Sequence, residues 1–268
     1  MSSPPRFGFG RNWQNFLSVV DDARIVAAET SVRELLGVST LEGKTFLDIG
    51  CGSGLFSLAA ARLGAARVHS FDYDTDSVGA TLALSQRTAP PGVAWTIERG
   101  DVLSEDYLAS LGKFDVVYSW GVLHHTGNLH AALENAARPV APGGQLAIAI
   151  YNDQGLRSRA WTQVKRLYNQ GPLGRALVVG AFFPYFAGRG AAYDLVQAQN
   201  PVRRYWEYGK SRGMSVFHDW IDWLGGYPFE VAKPEEIFEL FKARGFALER
   251  LRTNNGMGCN EFVFRRSG

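Results

Sequence analysis

Cysteine is scarce: Cys51 and Cys259 are the only two in 268 residues. A pair so far apart excludes a disulfide framework and a zinc ligand set, which makes a reducing, cytoplasmic setting the expectation. Histidine is scarce too, with five in the chain, so each candidate proton acceptor can be weighed singly. No apolar run is long enough to span a bilayer. The most apolar window, LGRALVVGAFFPYFAG from Leu173 to Gly188, is short and interrupted by Arg175 and Pro184. The opening MSSPPRFGFGRNW has no apolar signal region. Internal repeats and low-complexity tracts are missing. The formal charge is +2, too small to point to a nucleic-acid protein. A content of 46% hydrophobic and 20% charged residues is ordinary for a globular enzyme.

What is present is an alternation. KTFLDIG reads as a buried strand and GLFSLAAARLG as the helix after it. RVHSFD, VAWTIERG, FDVVYSW and GQLAIAIY continue as strands, with helices such as TDSVGATLALSQ and NLHAALENAARPV between them. The last of these helices is expected to stop at Pro142 and the two glycines after it. Such order predicts a doubly wound α/β core with a parallel sheet covered on both faces. The alternation stops at Asp153. Residues 153–230 read as a helical insertion rich in aromatics and arginine. KPEEIFELFKARGF then reads as a helix with Pro234 in its first turn and Gly245 as its stop, and ALERLRTN and CNEFVFRR as two closing strands. The expected division is a leading lid segment at 1–34, a core at 35–152 completed by 231–268, and a cap at 153–230.

The loop FLDIGCGSG lies at the end of the first strand. Leu55 stands where a dinucleotide fingerprint needs its third glycine, and no lysine follows as in a phosphate loop. The loop therefore offers close backbone approach without phosphate equipment. It suits an adenosine with a zwitterionic amino-acid tail, whose ammonium Asp48 could meet and whose carboxylate helix-start amides could meet. Here the sequence resembles the class I S-adenosylmethionine-dependent methyltransferases, whose first motif FLDIGCGSG matches at every position. FDYD, GDV, YSWGVLHH and RPVAPGGQLAIAIY follow in the family's order.

The resemblance implies a Rossmann-like, seven-stranded sheet with an antiparallel last strand. It implies S-adenosyl-L-methionine as cofactor and S-adenosyl-L-homocysteine as product. It places Asp48, Gly50, Cys51, Gly52 and Gly54 in the cofactor loop, Asp72 on the ribose hydroxyls and Tyr73 beside the adenine. Asp101 would meet the adenine amino group, Val102 the ring, and Ser119 and Trp120 the methionine tail and the sulfonium. The leading segment, with Phe9, Arg11, Asn12 and Trp13, is placed to close over the cofactor. The plain alternative for Asp72 and Asp101 is a solvated strand-end acid, and four polar strand ends together argue against it.

Methyl transfer from a sulfonium is an in-line displacement. The protein positions the nucleophile, excludes water and takes a proton when the acceptor is a hydroxyl or an ammonium. His124 and His125 follow the fourth strand and are the first base candidates; helix capping or solvent exposure is the plain alternative. His130 reads as a surface residue and His69 as structural. HH-x4-H is a poor metal pattern, so no metal is expected. VFHDWIDWLGGYPFE in the cap supplies His218 and Asp219 as further base candidates and Trp220, Trp223 and Tyr227 as acceptor contacts. Its plain reading is tryptophans anchoring the cap. Tyr151 and Asn152, at the end of the fifth strand, and Asn255, in TNNGMGCNEF, are further acceptor contacts.

Residues 153–216 hold ten Lys or Arg and three Asp or Glu, a net of +7. That asymmetry fits an acidic small-molecule acceptor, a carrier- or lipid-linked one, or RNA; the plain alternative is a solvated face. RNA remains the different-class alternative, although no RNA-binding module is recognisable. A non-methylating use of the sulfonium, such as cyclisation or elimination of its aminobutyrate chain, needs the same cradle and stays open. Oligomeric state has no signature.

Overall fold

The computed structural model describes residues 7–10, 13, 20–197, 200 and 216–268, with no account of the side chains of 216–219 and 222. Seven strands form one sheet: β1 (Thr45–Ile49), β2 (Arg67–Asp72), β3 (Ala94–Arg99), β4 (Phe114–Trp120), β5 (Val140–Tyr151), β6 (Phe246–Arg252) and β7 (Cys259–Arg266). Their order is β3-β2-β1-β4-β5-β7-β6. The first five run parallel, and β7 lies antiparallel between β5 and β6. The chain order reverses between β1 and β4, so their carboxyl ends open on a crevice.

Alternation along each strand builds the two faces. Phe46, Val116, Tyr118 and Ala147 pack under helices α1 (Asp22–Leu36) and α2 (Leu55–Arg62). Leu47, Ile49, Val117 and Ile148 pack on the other side with Leu133 of α5 (Leu129–Ala137) and Phe241 of α9 (Pro234–Lys242). Helices α3 (Thr75–Thr88) and α4 (Glu105–Ser110) complete the flanks. Burial of both faces is what makes the parallel strands read as unbroken apolar runs.

Two sequence expectations need correction. The boundary at residue 34 cuts through α1, whose Val32, Leu35 and Leu36 belong to the core. Strand β5 starts at Val140, ahead of the Pro-Gly-Gly turn, which sits inside the strand as an irregularity opposite Phe114 and Val116. A Cβ on Gly144 would lie 2.9 Å from the Asp115 carbonyl oxygen, so the residue marks a close strand approach rather than a helix stop.

Among the described residues the cap comprises α6 (Leu156–Tyr168), α7 (Pro172–Val196) and α8 (Val216–Gly225), and α7 continues through Pro184. Tyr168, Val178 and Leu224 are the buried centre of the cap, with Trp161, Phe182 and Phe186 packed around them. Among the described residues, no helix is long and apolar enough to cross a membrane.

Entry to and exit from the cap lie side by side. Asn152 bridges Ala232 in parallel, and the Asp153 amide donates to the Ala232 carbonyl. Asn152, expected as an acceptor contact, is spent here. Its Nδ2 donates to the carbonyls of Asn254 and Gly256, and its Oδ1 accepts from Asn260. Asn255, between two of these carbonyls, is exposed. Asn152→Ala should therefore cost about 2–4 kcal/mol of stability, because three bonds vanish at a buried site. Urea unfolding measures this, and a loss under about 0.5 kcal/mol would remove Asn152 from this role.

Candidate functional site

The glycine loop is fastened to the end of β2. The amides of Gly50 and Cys51 both donate to the Phe71 carbonyl, at 2.8 and 3.1 Å. Asp72 Oδ2 accepts from the Gly52 amide at 3.0 Å, and its Oδ1 accepts from the Asp74 amide at 2.9 Å. Gly50 has φ of 77°, and a Cβ there would stand 2.3 Å from Val122, so only glycine permits this passage. Gly54, also left-handed, precedes α2 and provides no side-chain cap, which leaves the helix-start amides to other partners.

Asp48 and Asp72 differ in depth. Asp48 is 3% exposed, and its Oδ2 accepts from Ser57, which is linked through Ser70 to Trp95. Burial raises its carboxyl to about 7 despite the Ser57 bond. Its bond to Ser57 ties the end of β1 to the first turn of α2 beneath the loop. Asp72 lies at the half-buried rim, and burial raises it to about 6 against the pull of the Asp74 and Gly52 amides. Cys51 is buried beside Thr81, which donates to its sulfur, and burial pushes its thiol well up, leaving it inert.

The remaining rim residues occupy neighbouring strand ends. Tyr73 is half exposed, with the Arg99 guanidinium 5.3 Å from its ring. Asp101 accepts from the Leu103 amide, and Val102 is buried, its carbonyl bonded to Asn135. Ser119 is fully buried, with its Oγ donating to the Ile49 carbonyl across β1 and β4. Trp120 is 44% exposed and donates Nε1 to Glu261.

Of the leading segment, residues 7–10 and Trp13 are described near the loop, while Arg11 and Asn12 lie outside the described residues. The Phe7 amide donates to the Tyr227 carbonyl, and the Gly10 amide to Asp74 Oδ2 at 3.0 Å. Trp13 lies over the loop: a Cβ on Gly52 would sit 3.1 Å from its ring. Phe9 stands 5.1 Å from the His125 ring.

His124 and His125 fall on a single 3-10 turn, Leu123–His125, after β4. His125 Nδ1 is 2.7 Å from the Pro228 carbonyl oxygen. A carbonyl only accepts, so Nδ1 carries the hydrogen and Nε2 is the basic nitrogen. Burial lowers this imidazole to about 4, with the Pro228 carbonyl pulling the other way, so the ring is neutral at pH 7. His124 is fully buried, its Nδ1 accepting from the Tyr151 amide at 3.4 Å, and its Nε2 has no hydrogen-bond partner. Burial, with His125 and Lys165 adding, holds His124 well below the usual histidine range.

The turn is gripped by the chain leaving the cap. The Glu230 amide donates to the His124 carbonyl, and the Glu230 carboxylate accepts from the amides of Gly127 and Leu129. Sequence reasoning missed Glu230, Pro228 and Lys165, since each acts on a partner far along the chain, through its backbone or through burial; no periodic signal marks them. Lys165 is buried, donates to the Trp223 carbonyl and lies 4.8 Å from the Phe229 ring.

Other candidates fall elsewhere. Trp223 packs on Trp161 at 4.4 Å, and Trp220 on Phe183 and Phe186 at 5.3 and 5.4 Å, so both serve the cap's own aromatic core. They were expected to contact the acceptor; burying their large apolar area inside the cap is the competing demand that won. Tyr227 contributes its carbonyl to the leading segment, and the Tyr151 ring lies tilted at 45°, 4.1 Å from the His124 ring. The side chains of His218 and Asp219 lie outside the described residues. His130 pairs at the surface with Glu134, and His69 with Glu98. Among the described residues, no cluster of three His, Cys, Asp or Glu could hold a metal ion.

Residues 23–213 match a family described as a methyltransferase domain. A ubiquinone biosynthesis O-methyltransferase from Rhizobium rhizogenes is 30% identical over 126 residues, covering 47% of this chain and 48% of that protein. The chain thus spans about half the length of the curated relatives it matches. Magnesium protoporphyrin IX methyltransferase from Synechocystis PCC 6803, solved with S-adenosylhomocysteine, superposes with a TM-score of 0.54 at 18% identity, over 91% of this chain and 83% of that one. The N-methyltransferase NodS from Bradyrhizobium japonicum WM9, also solved with S-adenosylhomocysteine, gives 0.53 at 15% identity, over 98% and 100%. At those identities the likeness to solved structures is one of fold. The family match, the strand order and the glycine loop agree, and the chain belongs to the class I S-adenosylmethionine-dependent methyltransferases.

Proposed function

We propose that this chain transfers a methyl group from S-adenosylmethionine to a hydroxyl or amine of a small acceptor, acidic or carrier- or lipid-linked, with His125 taking the proton. The observation that carries this reading is the His125 imidazole. Its tautomer is set by the Pro228 carbonyl, its charge is suppressed by burial, and it follows β4 beside the crevice. Such a nitrogen offers a defined, unprotonated lone pair at pH 7, a weak base in the free protein whose proton affinity must rise when the acceptor and cofactor bind.

The residues present suit the cofactor. The positive-φ loop gives close backbone approach, and Asp72 at the rim keeps lone pairs beyond the two amides it accepts. Asp72, Tyr73, Asp101 and Val102 would hold the adenosine, and the open amides at the start of α2 would meet the carboxylate. The bound cofactor supplies an already activated methyl carbon. The chain's own work is to orient the acceptor, exclude water with Phe9 and Trp13 overhead, and accept a proton at His125 Nε2. His124, with its amide-bound Nδ1, is a positioning residue for the turn. A carboxyl-rich or phosphate-bearing acceptor is favoured by the +7 balance of residues 153–216.

Three outcomes test the reading. His125→Ala should lower kcat about 100-fold or more with little change in cofactor Kd; an unchanged kcat would leave the reaction to positioning alone. Cofactor affinity should fall as pH drops below about 6, because Asp72 must be ionised to accept ribose hydroxyls and its carboxyl in the free protein is raised to about 6. Calorimetry from pH 5 to pH 8 measures this, and Asp72→Asn should bind more weakly and lose most of that dependence. Incubation with methyl-labelled cofactor and a metabolite extract should release S-adenosylhomocysteine and a labelled acceptor. Methylthioadenosine would instead mark a non-methylating use, and label in RNA the nucleic-acid alternative.

A further inference from the structure

The outer side of the cap has a composition that neither its own packing nor methyl transfer requires. In α7, positions 173, 177, 181, 184, 188, 192 and 195 are all exposed, and they hold Leu, Leu, Ala, Pro, Gly, Ala and Leu. Spacings of four, four, three, four, four and three keep them on one side of the helix along its whole length, about 37 Å. Leu173 is 74% exposed, Leu177 58% and Leu195 68%, with Tyr185 and Val196 beside them at 54% and 81%. An outward helix side in a protein surrounded by water carries charges instead.

Charge on this part of the cap has one sign. Residues 154–193 contain Arg157, Arg159, Arg166, Arg175 and Arg189, all exposed, and no Asp or Glu. The next acid, Asp194, is 1% exposed, and the one lysine, Lys165, is buried. We infer that α7 and the arginines around it dock the cap, lying flat, on an anionic lipid bilayer surface. The leucines enter the interface between headgroups and acyl chains, the tyrosine rings sit at headgroup level, and the arginines meet lipid phosphates. The helix does not cross, in keeping with its content of Gly, Pro and Arg.

Two other occupants fit less well. A second copy would bring five arginines against five with no acid to offset them. RNA is gripped by stacking aromatics within a charged groove, whereas the centre of this stripe is aliphatic. The bilayer reading is independent of which atom is methylated, and it would place an amphiphilic acceptor within reach of the cap.

Flotation of the full chain with vesicles tests it. With phosphatidylglycerol–phosphatidylcholine vesicles the protein should float, and about tenfold less should do so with phosphatidylcholine alone. The double variant Leu173→Glu/Leu177→Glu should lose about tenfold or more of this partition while keeping its melting temperature and cofactor Kd, since both side chains are exposed. Arg157→Ala/Arg166→Ala/Arg189→Ala should lose the preference for anionic vesicles. Protein that stays in the buffer with anionic vesicles overturns the proposal. So does flotation unchanged by the leucine variant, a dimer that the leucine variant converts to monomer, or tighter binding to RNA than to vesicles.

Discussion

The Asp72 carboxylate and the Phe71 carbonyl hold the glycine loop in place, and the site is arranged around that attachment. Three loop amides are bound at this strand end, Gly50 and Cys51 on the carbonyl and Gly52 on the carboxylate, whose other oxygen takes the Asp74 amide just past β2. A carboxylate that accepts main-chain amides at a half-buried strand end would ordinarily be stabilised in its charged form. Here burial prevails and raises Asp72. The rim carboxyl is thus held by two main-chain amides while burial partly withdraws its charge from water.

A second attachment crosses from the cap. The segment Pro228–Glu230 returns beside the turn after β4 and fixes it from three directions, through the Pro228 carbonyl, the Glu230 amide and the Glu230 carboxylate. The same stretch pairs with the end of β5 at Asn152 and Ala232. Cap and histidine turn are thus coupled mechanically, because the His125 imidazole is oriented by backbone that exists only where the insertion ends. A cap that shifted would turn His125.

The histidine pair shows how one short motif splits into two roles. His125 keeps a basic nitrogen and a fixed proton on the other. His124, one residue earlier, is fully buried with an unpartnered Nε2. Leaving a donor so placed costs about 1–3 kcal/mol, a local strain tolerated beside the crevice and rare elsewhere in a core. Aromatic rings of Tyr151, Phe229 and Phe9 surround the pair and lower the local dielectric, which is why burial dominates the protonation of both.

Strand identity and the position of the loop were legible because they rest on local patterns: apolar runs that must be covered twice, helix starts, and glycines where backbone passes close to backbone; the antiparallel last strand was implied by the family resemblance alone. FLDIGCGSG and FDYD were readable for the same reason. The Pro-Gly-Gly turn misled, since glycine signals both a helix stop and a close strand approach, and only the Asp115 carbonyl opposite Gly144 decides between them. Asn152, Trp220 and Trp223 had the chemistry of acceptor contacts. Whether a polar or aromatic side chain is spent on its own fold depends on partners 30 to 110 residues away, such as Asn260 and Trp161, which no spacing reveals. By itself, then, the sequence determined the sheet, the loop and the basic character of the cap. Tertiary structure alone decided which histidine keeps a usable lone pair, because that depends on where the Pro228 carbonyl arrives and how much water the surrounding rings exclude.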